Sequence, residues 1–382
     1  MSKIKLKGLS LFANVGVAET YLKEVGVEIY LANELKRDRA EFYRHLYPEC
    51  EMVIGDIKSD ELRQFIIKKA KEKKIDFIMA TPPCQGMSKH GKQDPYDLRN
   101  QLVSYAIDVI KSVKPKFVLL ENVPRQLKTR IEYNGDRVLI PEYIRMELSK
   151  DYYINSNSVI NSAYYKVPQS RERSIFLLSR KDTNIIWEHP EPEKDIVTLR
   201  QAIGHLPSID PFIREEKERW RFPQYEEKKK KALEISIWNY PPTHSWRHIE
   251  WMMHTPSGKT AFENKIYFPQ KPDGTTITGR VSTYKRFSWD KPANTITQNN
   301  GVISSSVCVH PGREISSDGT EKGRIISDPR VLTIYELLIV SSLPTNWNIP
   351  MWANEKLIRN VIGEGIPPLL VKKIVQNLTV KI

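Results

Sequence analysis

The stretch Ile75-Asp76-Phe77-Ile78-Met79-Ala80, stopped by Pro82-Pro83, decides how the fold is read. A short apolar run bounded by prolines reads as a buried strand, and here it is the fourth of its kind. Residues 7–13, 27–32 and 52–54 are earlier apolar runs, and the segments between them, residues 18–25, 37–46 and 60–74, carry helical character. Downstream, a helix over residues 102–113 leads into another strand over residues 116–120. Strands alternating with helices predict an α/β fold built on a doubly wound, mostly parallel sheet. Ligands of such sheets bind at the carboxyl ends of the strands. Chemistry is therefore to be sought from Phe12 onward and at Glu34, Asp56, Pro83-Cys84 and Glu121.

The texture changes after Lys181. Proline, tryptophan and basic residues crowd between Trp187 and Trp289, with Lys228-Lys229-Lys230-Lys231 among them. Weak periodicity there predicts a separate, smaller, irregular and partly β lobe, and a chain of 382 residues is long enough for two lobes. Helical spacing returns over residues 334–343 and 354–377. No run approaches about eighteen apolar residues, and no apolar core follows the basic N-terminus, so neither a membrane span nor a secretory signal is expected. Cys50, Cys84 and Cys308 form no CxxC pair. That pattern supports neither a disulfide framework nor a zinc site, and it fits a reducing cytoplasm. His189, His205, His244, His248, His254 and His310 lack metal-ligand spacing, so no metal is expected. Lys plus Arg exceed Asp plus Glu by 59 to 46. The excess favours a polyanionic partner, nucleic acid before a membrane surface, although a solvated Lys-rich surface gives the same count.

Three local patterns carry chemistry. The first is Thr81-Pro82-Pro83-Cys84-Gln85-Gly86-Met87-Ser88 after the fourth strand. A cysteine in a proline-stiffened turn at a strand's end is held into the cleft, where its thiolate is a strong nucleophile. Taken alone, a cysteine is more often a small buried hydrophobe. The second is Glu121-Asn122-Val123-Pro124 after the next long apolar run. A carboxylate there faces the same cleft and suits protonation of a ring nitrogen, with a helix cap or surface Glu as the plainer reading. The third is Gln169-Ser170-Arg171-Glu172-Arg173 before a strand over residues 174–178. Alternation puts Arg171 and Arg173 on one face, suited to a phosphate or a base edge or to a surface ion-pair ladder.

In this order and at these separations the three patterns resemble the DNA cytosine-5 methyltransferase family, of the bacterial restriction-modification type. The resemblance spans nearly the whole chain apart from residues 180–291. It implies that Cys84 adds to C6 of a flipped cytosine and that Glu121 holds N3 and the 4-amino group. Arg171 then contacts the base carbonyl, and Arg173 supports Glu121. Neither face of a stacked cytosine is open to a nucleophile, which explains the flipping. Residues 86–99, including Gly91, resemble the loop that closes over the substrate. Gln85, Ser88, Arg99 and Thr295 match DNA-contacting positions.

The implied cofactor is S-adenosyl-L-methionine, leaving as S-adenosyl-L-homocysteine. Phe12-Ala13-Asn14-Val15-Gly16 resembles the family's glycine-rich donor turn but keeps Phe12 and a single glycine. Asn14 tolerates the left-handed conformation that turn needs. Glu34 matches the ribose position and Leu35 lies beside the adenine. Asp56 and Ile57 match adenine contacts, while Pro83 and Leu102 complete the donor wall. Ile362-Gly363-Glu364-Gly365-Ile366-Pro367-Pro368 resembles the family's last motif with Glu364 where Asn is usual. The same resemblance makes residues 1–183 with 350–382 the catalytic domain, and residues 184–349 a target-recognition domain with its hinge. Lys291-Pro292-Ala293-Asn294-Thr295-Ile296-Thr297 resembles the segment that closes the recognition region. Arg330-Val331-Leu332-Thr333-Ile334-Tyr335-Glu336 with Leu343-Pro344 resembles the structural motif after it.

The expected partner is a short duplex DNA site, read by a monomer in a bacterial or archaeal cytoplasm, with a restriction endonuclease as genetic partner. Rival readings are a tRNA-directed relative, a catalytically dead DNA-binding relative and a Rossmann oxidoreductase. The long variable region disfavours the first, and the missing GxGxxG disfavours the last.

Overall fold

The computed structural model describes residues 4–83, 98–155, 159–213, 216–271, 273–279 and 281–382. Strands β1 (Leu6–Leu11), β2 (Val27–Glu34), β3 (Glu51–Ile54), β4 (Phe77–Ala80) and β5 (Phe117–Asn122) run parallel in the order β3-β2-β1-β4-β5. A hairpin of β6 (Arg130–Tyr133) and β7 (Asp136–Leu139) stands apart from the sheet. Strands β8 (Tyr152–Asn155), β9 (Val159–Asn161) and β10 (Glu172–Arg180) complete it. β10 lies antiparallel to β5 and carries β8 and β9 on its outer edge. The chain order reverses between β1 and β4, so the turns after these strands open on one crevice.

Period-two alternation splits each central strand between two cores. Helix α1 (Arg37–Leu46) packs Ala40 and Tyr43 with Ala32 and Met52 in a cluster of its own. Ile78, Ala80, Val118 and Leu120 face one side of the sheet, with helices α2 (Asp60–Glu72), α3 (Leu102–Val113) and α4 (Ile140–Leu148). α3 buries Val103, Ala106, Ile107, Val109 and Ile110 there, the spacing of one helical face. At about 2 kcal/mol per fully buried large side chain, that face contributes several kcal/mol. Phe77, Met79, Phe117 and Leu119 face the other side, with Trp187.

The later chain forms α5 (Leu199–Ile203), α6 (Tyr225–Ile235), α7 (Trp246–Met253), β11 (Glu314–Ser316) and β12 (Ile325–Ile326). It continues through α8 (Ile334–Val340), α9 (Glu355–Glu364) and α10 (Pro368–Thr379). α10 packs Leu370, Val371, Ile374 and Leu378 onto the Phe77 side of the sheet.

Four local expectations are corrected. Residues 18–25 form turns and a 3-10 helix at Lys23–Val25 instead of an α-helix. The segment between Gly16 and Gly26 is short, and it turns Glu19 inward to accept a 2.6 Å hydrogen bond from Ser10 Oγ. Residues 354–377 form two helices, broken at Gly365-Ile366-Pro367 because a residue before proline avoids helical backbone. β5 runs two residues further than expected, so Glu121 and Asn122 belong to the strand itself. Between Trp187 and Trp289 the described residues pair only through isolated bridges, and the β content lies later, in the β11–β12 pair.

A third core joins these parts, with Val15, Val17 and Phe42 packing among Leu199, Trp289, Ala293, Ile296, Leu337 and Trp347. Below it lies a buried charge cluster. Arg330 donates to both oxygens of Glu336 (2.8 and 2.9 Å) and to Asp328 Oδ1 (3.0 Å), with all three residues fully buried.

Candidate active site

The crevice between β1 and β4 is tied at its rim. Thr81 at the end of β4 donates its N–H to Leu11 O (3.3 Å) and its hydroxyl to Phe12 O (3.2 Å). From β5, the Asn122 side chain donates 3.1 Å to Pro82 O, so the turn that leads to Cys84 is held from the neighbouring strand. Cys84, Gln85 and Ser88 lie outside the described residues, as does the expected loop as far as Asp97. Pro83 is the last described residue before them and is exposed. Cys50 and Cys308 are buried, and burial pushes both thiols up to about 12, which makes poor nucleophiles of them.

Beside this turn stands a buried acid. Glu121 is 8% exposed, and its Oε1 lies 2.7 Å from Arg173 Nε. The antiparallel register of β10 on β5 sets Ile175 opposite Glu121 and so brings Arg173 past the strand's end. Burial raises the Glu121 pKa above the ordinary carboxylate value, and the Arg173 and Arg171 charges oppose that rise without cancelling it. The result is a carboxyl group that holds a proton more readily than a surface Glu does.

Arg171 does something else. It precedes β10, and its guanidinium donates to Ile296 O (2.7 Å), Gly363 O (2.9 Å) and Glu364 O (3.0 Å). Three backbone carbonyls thus hold this guanidinium, which is 3% exposed. Arg173 is the guanidinium at the acid.

The donor turn after β1 has unusual backbone. Phe12, Asn14 and Gly16 all take positive φ (59°, 51° and 82°), the left-handed region where asparagine and glycine are the least strained. A Cβ on Gly16 would strike the Tyr47 ring at 2.2 Å, and Tyr47 Oη donates to Gly16 O at 2.6 Å. Glu34, 7% exposed, accepts from Asn14 N and Lys36 N, both at 2.9 Å, one on each oxygen. Leu35 is 58% exposed at the crevice edge. Asp56 accepts from Lys58 N (3.0 Å), and Leu102 opens α3 against the first core. Ala13, Val15 and Ile57 bury their side chains in the cores.

Glu364 closes the turn from the far end of the chain. It accepts from Asn14 Nδ2 (3.0 Å) and Arg39 Nη2 (3.0 Å), and Arg39 Nη1 stands 2.7 Å from its Oε2. Local pattern does not single out Arg39, which follows Arg37 and Asp38 in the first turn of α1. Arg99 lies exposed on the short 3-10 helix Leu98–Gln101, and the Thr295 hydroxyl donates to Ser170 O at 2.9 Å. Among the described residues no group of three His, Cys, Asp or Glu side chains could hold a metal ion.

Residues 6–379 match the model of the C-5 cytosine-specific DNA methylase family. The chain belongs to that family. This DNA cytosine-5 methyltransferase is 41% identical over 381 residues to the Type II methyltransferase M1.HgaI of Avibacterium volantium, across 98% of this chain and 99% of that one. It is 26% identical to the Type II methyltransferase M.XorII of Xanthomonas oryzae, across 96% of this chain and 83% of that one. Solved structures share the methyltransferase fold. A prophage-encoded E. coli protein assigned as a DNA modification methyltransferase superposes with a TM-score of 0.67 at 21% identity, covering 98% of both chains. A Spodoptera frugiperda DNMT2 variant gives 0.61 at 15% identity, covering 98% of this chain and 99% of that one.

Proposed function

We propose that this methyltransferase modifies cytosine in a short, specific duplex DNA sequence, with Cys84 as nucleophile and Glu121 as the acid. In this reading the Cys84 thiolate bonds to C6 of a flipped cytosine while Glu121 gives a proton to N3. C5 thereby gains the electron density of an enamine carbon. S-adenosylmethionine, when bound, supplies the electrophilic methyl group that C5 takes up. A base then takes the C5 proton, Cys84 leaves as a thiolate with the C5–C6 double bond restored, and the N3 proton returns to Glu121. Arg173 fixes one Glu121 oxygen, which leaves the other free to face the base. The observation that carries this reading is the buried Glu121–Arg173 pair (2.7 Å), beside a turn pinned at Pro82 by Asn122 (3.1 Å).

The residues of the β1 turn fit the donor. Each Glu34 oxygen accepts one backbone N–H and keeps lone pairs for the ribose hydroxyls. Asn14 Oδ1 of the same turn and Arg39 Nε of α1 are buried and have no partner among the described residues. Leu35, Asp56, Ile57, Pro83 and Leu102 would line the adenine side.

The domain division into residues 1–183 with 350–382 and residues 184–349 belongs to this reading. Its first boundary lies close to chain that still packs on the catalytic sheet, since Trp187 is buried there and donates to Ile374 O at 3.0 Å. Gln85, Ser88, Arg99 and Thr295 would meet DNA. The Type II relatives support a modification role in a bacterial or archaeal cytoplasm, as a monomer whose product resists a cognate endonuclease. Among the described residues no helix is long and apolar enough to cross a membrane.

The test is incubation with labelled S-adenosylmethionine and mixed-sequence duplex DNA, with Cys84→Ser in parallel. Label recovered as 5-methylcytosine from the wild type alone supports the reading. Transfer to tRNA and not to DNA would overturn the substrate, and no transfer to either would overturn the enzyme.

A further inference from the structure

Two of the places where this chain departs from its family's donor motifs, Asn14 in the first turn and Glu364 in the last motif, are in contact. Asn14 Nδ2 donates to Glu364 Oε2 at 3.0 Å across 350 residues of chain. Arg39 completes the cluster with two guanidinium nitrogens on the same carboxylate, at 3.0 and 2.7 Å. Asn14 also donates its backbone N–H to Glu34 at 2.9 Å, so a single residue links the proposed ribose carboxylate to the ion pair. The pair is partly open, with the Arg39 and Glu364 side chains 13% and 22% exposed. Its backing is fixed. The carbonyls of Gly363 and Glu364 are held by Arg171, and a Cβ on Gly365 would meet Val17 at 2.6 Å.

The methyl donor has a nucleoside end and an amino-acid end, and the latter is a zwitterion carrying an α-ammonium and an α-carboxylate. Glu34 and Leu35 suit the nucleoside end. Through Asn14, Glu34 is linked to the Glu364 carboxylate and its Arg39 guanidinium. Beside them Asn14 Oδ1, an acceptor, and Arg39 Nε, a donor, have no partner among the described residues. An ammonium needs acceptors and a carboxylate needs N–H donors, so the cluster complements the zwitterion in both charge and hydrogen bonding. A guanidinium is also the side chain best shaped for a carboxylate.

We infer that Arg39 and Glu364 bind the amino-acid end of the donor, Arg39 taking the α-carboxylate and Glu364, with Asn14, the α-ammonium. The inference rests on the donor assignment above. It makes Arg39 a donor-binding residue and explains why Asn14 and Glu364 occur together: each supplies part of one charged subsite.

Calorimetric titration of the whole chain with two ligands tests this directly. S-adenosylhomocysteine carries the amino-acid end, and 5′-methylthioadenosine has the nucleoside end without it. Arg39→Gln and Glu364→Gln should each weaken S-adenosylhomocysteine about tenfold or more while changing methylthioadenosine by less than about twofold, because a charge-assisted contact is lost at one end only. Equal losses for both ligands would overturn the inference in favour of a purely structural clasp, as would no loss for either. Arg39→Lys, which keeps the charge, should recover part of the affinity and guards against a misfolded Gln variant. A folded wild type that binds neither ligand would overturn the donor assignment, and this inference with it. Binding of both ligands with unaltered variants would overturn the inference alone.

Discussion

Glu121 and Arg173 are each about a tenth exposed, so neither charge is solvated and each depends on the other. Glu121→Gln keeps the shape and a hydrogen-bond acceptor for Arg173 but removes the transferable proton. We expect it to fold, to bind duplex DNA as the wild type does, and to lose about 10²–10⁴-fold in rate, as single-turnover methyl transfer would show. The pH dependence of stability follows from the direction of the Glu121 shift. Its folded pKa lies above the unfolded 4.5, so the folded state binds more protons between the two values and the stabilisation is lost as pH rises through them. The stability of wild type relative to Glu121→Gln should therefore fall as pH rises from 4.5, and a flat difference in melting temperature would contradict the raised pKa. Glu121 was legible in the sequence because it ends an apolar run. The backbone partners of Arg171 were not, because alternation alone does not reveal that β10 begins at Glu172 and lets Arg171 reach the carbonyls of Ile296, Gly363 and Glu364.

At the scale of elements, the site depends on how α9 seats against the segment after the recognition region. Gly363 lies against backbone, and a Cβ there would come within 2.2 Å of Thr297 O. Backbone cannot yield as a side chain tip can, so Gly363→Ala should cost about 1–3 kcal/mol in chemical denaturation and weaken donor binding by displacing Glu364. Arg171→Ala, which strips three carbonyls of their donor, should cost a similar amount or more. The strands of the sheet were legible because apolar runs bounded by Gly and Pro have few other solutions, and α1 and α3 fell on their expected residues. The break between α9 and α10 escaped because apolar spacing continues across it, although Pro367 and Pro368 marked the place. Arg39 could not be found from local pattern at all, since its partner is 325 residues away.

Across the whole molecule, the turn after β1 and helix α1 share a core with the later chain, which also holds a buried charge cluster of Arg330, Asp328 and Glu336. Arg330→Met would leave two buried carboxylates without their cation, a loss of about 3–5 kcal/mol. Nearby His310 is fully buried, its Nδ1 accepts from Gly312 N at 3.1 Å, and burial lowers its pKa to about 4. Desolvation likewise lowers His189 and His248 to about 4 and His244 to about 3. With folded values below the unfolded 6.5, the unfolded chain binds more protons in that window, so stability falls as pH drops from 6.5 towards 4. A melting temperature that stays flat from pH 7 to 5 would contradict this burial.

The central claim is that Cys84 forms a covalent bond to the target cytosine. The most direct measurement uses duplex DNA with 5-fluorocytosine in place of cytosine in one strand, incubated with S-adenosylmethionine and the protein. Fluorine at C5 cannot leave as a proton does, so the final elimination is blocked and Cys84 stays attached to C6. A denaturation-resistant protein–DNA species from the wild type, absent with Cys84→Ser, is the result predicted. Methyl transfer to ordinary cytosine without any such species would show that another group, or no covalent step, does the work assigned to Cys84.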